Sequence, residues 1–180
     1  MTTPSIGLLD RYQDYRIRRW HVRDERISGM LPKWRNQRRR RKLVIVVAVA
    51  IGTIFLTGLL CVFNLKWAPL IAVAAAVVMI PAWTMLRIAS NGYDHAPAEA
   101  LDEFEIQQRD TARSMGLAVS QSLTVLPIFY LIFAGAFDPK AEAFRTAYAG
   151  GMMGLAALMA GGCAPAMILG WNRPDPEPEP

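Results

Sequence analysis

Four long stretches without a charged side chain constrain this chain more than any other feature. They cover residues 43–63, 67–86, 114–137 and 146–172. About 20 apolar residues, at about 1.5 Å of helix rise each, cross a hydrocarbon core about 30 Å thick. A soluble bundle is the alternative, but its helices would need polar faces that these stretches lack. We therefore predict an all-α, polytopic membrane protein with four transmembrane helices, at about 43–63, 67–88, 114–137 and 146–171.

The basic residues are distributed unevenly around these stretches. Of the 20 Lys and Arg residues, 13 precede the first stretch. With the N-terminus inside, 17 of the 20 are cytosolic, so the positive-inside rule predicts both termini on the cytoplasmic side of the inner membrane. A nucleic-acid-binding arm is the alternative, but no folded nucleic-acid motif surrounds this segment. The basic run directly before the first stretch also suits anionic lipid headgroups; it comprises Arg38, Arg39, Arg40, Arg41 and Lys42.

Residues 1–31 form a separate cytoplasmic segment. Apolar residues recur at helical spacing over 5–31, with arginines scattered among them. This pattern predicts an amphipathic helix that either lies along lipid headgroups or docks a protein partner on the cytoplasmic face, because Tyr, Trp and Arg suit both surfaces. Besides the basic run, the residues expected to make these contacts are Tyr12, Tyr15, Trp20 and Trp34.

The connection at 89–113 predicts a helical cytoplasmic loop, with a helix that begins near Asp94 and Pro97 and continues into the third span. Acidic residues lie in the first turns of this helix and basic residues in its last turns, which complements the helix dipole. Glu105 and Arg109 are four residues apart, a spacing that suits an ion pair. We expect the acidic end of this cytoplasmic helix to meet the basic N-terminal segment of the same chain; its residues are Asp102, Glu103, Glu105 and Arg109. The final segment, 173–180, is acidic and proline-rich and is predicted to be disordered.

Small residues predict where the spans pack, because close backbone approach drives helix association in lipid. A milder version of this spacing in the first span involves Ala50, Thr53, Thr57 and Cys61. In the third span Ser114, Gln121 and Thr124 share a face, and we expect Gln121 to point into protein. Packing within one monomer is favoured over a homo-oligomer. The most regular stripe, in the fourth span, comprises Gly150, Gly154, Ala157, Gly161 and Ala164.

The sequence offers little for catalysis. No Asp, Glu, Lys, Arg or His lies inside the four uncharged stretches, and pumps and coupled transporters use such groups. The two histidines, His21 and His95, are far apart in sequence, and no phosphate-binding loop or nucleophile elbow is present. We expect a protein without enzymatic activity, cofactor or metal.

The pattern Leu101-Asp102-Glu103-x-Glu105-x-x-x-Arg109-Asp110-x-Ala112 resembles a juxtamembrane signature of small membrane proteins of actinobacteria. In layout the chain also resembles the four-pass membrane components of superinfection-exclusion systems carried by actinobacterial prophages. This resemblance implies a phage-defence role with a cytoplasmic partner. The expected function is therefore to anchor or regulate a cytoplasmic or membrane partner. The alternatives are a holin-like oligomeric pore and an accessory subunit of a membrane complex.

Overall fold

A computed structural model of the chain contains four long α-helices. It describes residues 15, 17–19, 22, 34, 36–63, 67–90, 96, 101–137 and 142–173. All four helices are long and apolar enough to cross a membrane, and no strand occurs in these residues. This confirms the all-α class and the four predicted spans. The helices are α1 Gln37–Val62, α2 Ala68–Ala89, α3 Glu103–Phe137 and α4 Ala143–Asn172.

Helix α1 includes the basic run, so these residues form its first turns. Asn36 caps the helix, because its side-chain Oδ1 accepts a hydrogen bond from the backbone N–H of Arg38 at 2.9 Å. This bond satisfies one of the N–H groups that have no partner within the helix. The cap therefore sets where α1 begins and so where the basic side chains lie on the helix.

Helix α3 is continuous over 35 residues, but its predicted start was wrong. Ala96 is not helical, and the helix begins at Glu103. The side chain of Asp102 accepts from the N–H of Glu105 at 2.7 Å, and Glu105 Oε2 accepts from the N–H of Asp102 at 3.4 Å. This reciprocal arrangement is a capping box, which marks a helix start. Asp102 is thus a cap and not a residue of the helix.

Helix α4 is the centre of the arrangement. It packs extensively against α1 and α3, and less against α2, which packs mainly on α1. Helix α1 contacts α4 through Arg40 with Arg173 and through Gly58 with Met153, so the two run antiparallel. Helix α3 also runs antiparallel to α4, because Gly116 lies near Gly161 and Leu131 near Gly150. Among the four described helices, α3 makes extensive contacts with α4 alone, so it lies at the edge of these four.

The main core lies among α1, α2 and α4. Buried branched side chains of α1 meet Met79 and Leu86 of α2 and Cys163 of α4. A smaller cluster forms at the other end of the helices around Cys61, Ala68 and Ala149. Both cysteines are free and buried.

Two predicted segments fall largely outside the described residues. Within 1–31, Tyr15, Val22 and residues 17–19 are helical. The other residues of this segment, including Tyr12 and Trp20, are not described, and neither is the tail at 174–180. The amphipathic helix and the disordered tail therefore stay predictions.

Candidate functional site at the basic end of the helices

The start of α1, the end of α2, the start of α3 and the end of α4 lie at the same end of the molecule. We call this the basic end. It carries the basic run of α1 together with Arg87, Arg109, Arg113 and Arg173. Helices α2 and α4 present their C-termini here, where backbone carbonyls lack helical partners and the helix dipole is negative. Cations that reach the ends of α2 and α4 are therefore stabilised there.

Arg40 is the most deeply buried of these cations, with 2% of its surface exposed. Its Nη2 donates a 2.6 Å hydrogen bond to the backbone carbonyl of Arg173, the residue that follows α4. A charge-assisted bond to an orphan carbonyl is about twice as strong as a neutral one. Arg40 thereby joins the start of α1 to the end of α4.

Further arginines continue this connection. The guanidinium of Arg41 lies 4.9 Å from the ring centre of Trp171, and that of Arg87 lies 4.9 Å from the ring centre of Trp83. Arg173 Nη1 lies 3.4 Å from the carbonyl oxygen of Ser90, just after α2. Cation–π contacts of this kind hold both the charge and the ring in place. Three helix ends are thus connected through arginine side chains.

This role of arginine was not foreseen from the sequence, although a signal was present. Arg87 lies in the last turn of α2, and Arg173 directly follows α4. Basic residues at these positions bind terminal carbonyls and complement the dipole. Such a position predicts that the arginine stabilises a helix end, but it does not predict which neighbouring helix the arginine contacts.

The residues predicted for docking divide into two groups. Arg40 and Arg41 contact the end of α4, whereas Arg38, Arg39 and Lys42 have exposed side chains. The outward group therefore supplies the charges that a partner or a headgroup could meet.

Two aromatic residues of the predicted docking set are described. Trp34 is half-buried against the main core, and the guanidinium of Arg39 lies 5.7 Å from its ring centre. Tyr15 is exposed, and its hydroxyl accepts a 3.2 Å hydrogen bond from Arg19. The structure therefore attaches Trp34 to the helices and leaves Tyr15 open to solvent or headgroups.

Arg109 does not form the predicted pair with Glu105. Its Nη1 donates to the carbonyl of Ala96 at 2.7 Å, and its Nε donates to Asp110 at 2.9 Å. Glu105 faces the helix start instead, where it takes part in the capping box with Asp102. Arg109 is buried, while Asp102 and Glu103 are exposed and Glu105 is half-buried. The acidic side chains therefore lie near the start of α3, whereas Arg109 is buried and binds the segment before this helix through the carbonyl of Ala96.

The small-residue stripe of α4 is only partly a contact surface. A Cβ added to Gly161 would collide with the Cβ of Ser120 and lie 2.8 Å from the carbonyl oxygen of Gly116. A Cβ added to Gly150 would lie 2.6 Å from Leu131. Gly154, by contrast, would meet nothing within 4 Å, so its predicted contact was wrong. Ala157 is fully buried and Ala164 is half-buried.

The milder stripe of α1 also faces protein. Ala50, Thr57 and Cys61 are buried, and Thr53 is half-buried. This places the α1 stripe in the contacts within one chain.

Gln121 is exposed in the single chain, so the prediction that it points into protein and not into lipid stays a prediction. The face of α3 toward α4 is occupied by Gly116, Ser120 and Leu131. Successive residues turn by about 100° in a helix, so Gln121 leaves this face. Ser114 is exposed as well, and Thr124 is half-buried with its hydroxyl donating to Ser120.

Two other features of the described residues are less informative. No group of three or more His, Cys, Asp or Glu side chains in this part of the chain is placed to hold a metal ion. An apolar groove runs between α1 and α2, with Val49, Thr53 and Ile71 among its lining residues. The hydroxyl of Thr53 donates to the backbone of its own helix at 2.8 Å, which leaves an apolar surface of the kind that lipid tails cover.

The chain was compared with protein-family models, with curated proteins and with solved structures. None of the three comparisons gives a match. What the basic end does is therefore inferred from its own residues.

Proposed function

We propose that this chain is a multi-pass protein of the cytoplasmic membrane that anchors or regulates a cytoplasmic or membrane partner through its basic end. Both termini face the cytosol in this proposal, in agreement with the positive-inside rule. The main supporting observation is the set of arginine contacts that join α1, α2 and α4. They make the basic end a firm platform, and the proposal includes no catalytic step.

The platform presents charge in a defined position. Arg40 is buried and bonded, so the neighbouring side chains of Arg38, Arg39 and Lys42 project from fixed helix turns. Exposed charges held in this way steer a complementary surface and set its orientation. An acidic partner is the best match, and anionic headgroups can neutralise the same residues when no partner is bound.

Site-specific photo-crosslinking in cells tests this proposal. A photoreactive amino acid is placed at Arg38 or Lys42 of the full-length chain, and at Arg145 near the opposite end as the matched control. We expect one distinct crosslinked protein from the first two positions and not from Arg145. The combined substitution Arg38→Glu and Lys42→Glu, read from a probe at Arg39, should reduce this product at least tenfold. Equal products from both ends would contradict the proposal.

The biological setting that we propose is superinfection exclusion, in line with the layout that the chain shares with prophage exclusion components. Cells that express the full-length protein should then plate phage at reduced efficiency. Removing residues 1–31 should restore plating while leaving membrane insertion intact. Plating that is unchanged by expression would argue against this setting, and rapid loss of membrane potential on expression would favour a pore instead.

A further inference from the structure

The outer side of α3 is unlike the rest of the surface that faces lipid. Of the 18 most apolar consecutive residues of α3, only 6% are buried, compared with 44% for α1 and 39% for α4. Of the other described helices, only α4 makes extensive contacts with α3. The described part of a single chain therefore leaves most of the surface of α3 at membrane depth uncovered.

Six exposed residues of α3 recur at alternating spacings of four and three. They are Ser114, Ala118, Gln121, Val125, Ile128 and Ile132. This is the heptad spacing of a coiled-coil seam. At about 100° per residue, the stripe lies roughly 140° around the helix from the side that contacts α4. We call this set of residues the outer seam. A neighbouring exposed stripe has the same spacing, so the amide of Gln121 is what sets the outer seam apart. The neighbouring stripe comprises Met115, Val119, Ser122, Leu126, Phe129 and Phe133.

Gln121 makes the outer seam a poor surface for lipid. It lies seven residues, or about 10 Å, beyond Ser114, where the uncharged stretch begins. Its side chain forms no hydrogen bond among the described residues, whereas the hydroxyls of Thr53, Thr84 and Thr124 each donate to a carbonyl of their own helix. An amide without partners is disfavoured in hydrocarbon. The side chain therefore calls for a hydrogen-bonding partner within the membrane.

We infer that the outer seam binds the outer seam of a second copy of this chain and forms a parallel homodimer. Both copies insert with the same topology, so their α3 helices run in the same direction with Gln121 at the same depth. A two-fold axis along the helices then brings the two side chains together. A carboxamide both donates and accepts, so the two can exchange hydrogen bonds with each other.

The remaining seam residues suit this geometry. Ser114 and Ala118 are small and allow the helices to approach closely at the basic end, as is common in membrane interfaces. Val125, Ile128 and Ile132 are β-branched and provide stiff packing surfaces farther along. A single polar seam position between such residues specifies register and oligomeric state in coiled coils. The inference is independent of the partner proposed for the basic end.

Disulfide crosslinking of the full-length protein in native membranes tests the dimer. Single cysteines are introduced at Ala118 or Val125 in a chain with Cys61→Ala and Cys163→Ala, which is first shown to insert and remain helical. Val119 and Leu126 are matched controls, because both are exposed neighbours outside the seam. We expect oxidation to give a product of twice the chain mass at the two seam positions, at least five times more than at the controls.

Substitution of the polar seam residue provides the second measurement. Gln121→Leu keeps the size but removes the hydrogen bonds, and it should weaken self-association in lipid by about three- to twentyfold, the range that bonds between membrane helices span. Energy transfer between two labelled full-length copies measures this change on dilution into phosphatidylcholine–phosphatidylglycerol vesicles. Leu126→Ala is the control and should have little effect. Equal crosslinking at seam and control positions, self-association unchanged by Gln121→Leu, or seam crosslinks only to a different protein would each overturn the homodimer.

Discussion

Helices α1 and α3 differ in a way that a bilayer should not favour. Helix α1 is the more apolar of the two. Even so, 44% of its 18 most apolar consecutive residues are buried, compared with 6% for α3. Lipid tails are as apolar as leucine, so the less apolar helix is expected inside a membrane protein. The reversal teaches that the fold of one chain does not cover all the polar surface that lies at membrane depth.

The two helices are also held by different forces. Helix α1 buries large side chains such as Val47 and Ile54 and fixes its start through Arg40. Helix α3 is held by close backbone approach to α4, through Gly116 and Gly161. The contact between α3 and α4 depends on the absence of side chains at these glycines. A side chain added at one of them should therefore weaken this contact.

Gly161→Leu is expected to have the largest effect. Its Cβ would collide with Ser120, and its Cβ also meets the backbone of Gly116 at 2.8 Å, so α3 has to move away from α4. Overpacking of this kind costs about 3 kcal/mol, and no other extensive helix contact holds α3. The free energy of unfolding in mild detergent, followed by the fluorescence of the five tryptophans, measures the loss.

Gly162→Leu is the matched control for this substitution. A Cβ added there meets nothing within 4 Å, although the change and the helix are the same. Its effect should stay within about 0.5 kcal/mol, as for surface substitutions in general. Similar losses for the two variants would show that the loss does not come from the α3–α4 contact.

Arg40→Ala tests how α1 is fixed at the basic end. The substitution leaves the carbonyl of Arg173 without its 2.6 Å partner and removes a buried side chain. A charge-assisted bond of this type contributes about 1.5–3 kcal/mol, so unfolding should become easier by about 2 kcal/mol. Arg38→Ala, one exposed cation in the same turn of helix, should change stability by less than about 0.5 kcal/mol. Equal losses from the two would place Arg40 among ordinary surface cations.

Gly58→Ala tests the contact between α1 and α4. The added Cβ would lie 2.9 Å from the backbone nitrogen of Met153 and 2.8 Å from its Cγ. The flexible side chain can yield but the backbone cannot, so we expect a loss of about 1 kcal/mol. Gly52→Ala meets open space and should be neutral or slightly stabilising, because alanine favours helix. The same unfolding measurement compares the two, and a neutral Gly58→Ala would show that α1 has room to shift.

The sequence was sufficient to predict the four spans, because their length and lack of charge depend on local residues. It was not sufficient to predict how the helices are arranged. The same stripe of α4 contains Gly161, which touches α3, and Gly154, where an added Cβ would meet nothing within 4 Å, and spacing alone treats them alike. Gln121 was predicted to face protein, and its exposure in the single chain follows from the edge position of α3, which depends on all the other helices.

The last prediction concerns the capping box at the start of α3, where the effect of a single hydrogen bond on the first turn can be measured. Asp102→Ala removes the carboxylate that accepts the N–H of Glu105 at 2.7 Å, and loss of such a cap costs about 1 kcal/mol. Helix α3 lacks extensive contacts besides α4, so the loss should appear as fraying of its first turn. We expect amide hydrogen exchange to accelerate about fivefold at Glu105 and Ile106. Glu103→Gln removes a charge from the same turn but keeps the cap, so its effect should be a few tenths of a kcal/mol through the helix dipole. Equal acceleration in both variants would mean that charge, and not the capping bond, sets where α3 begins.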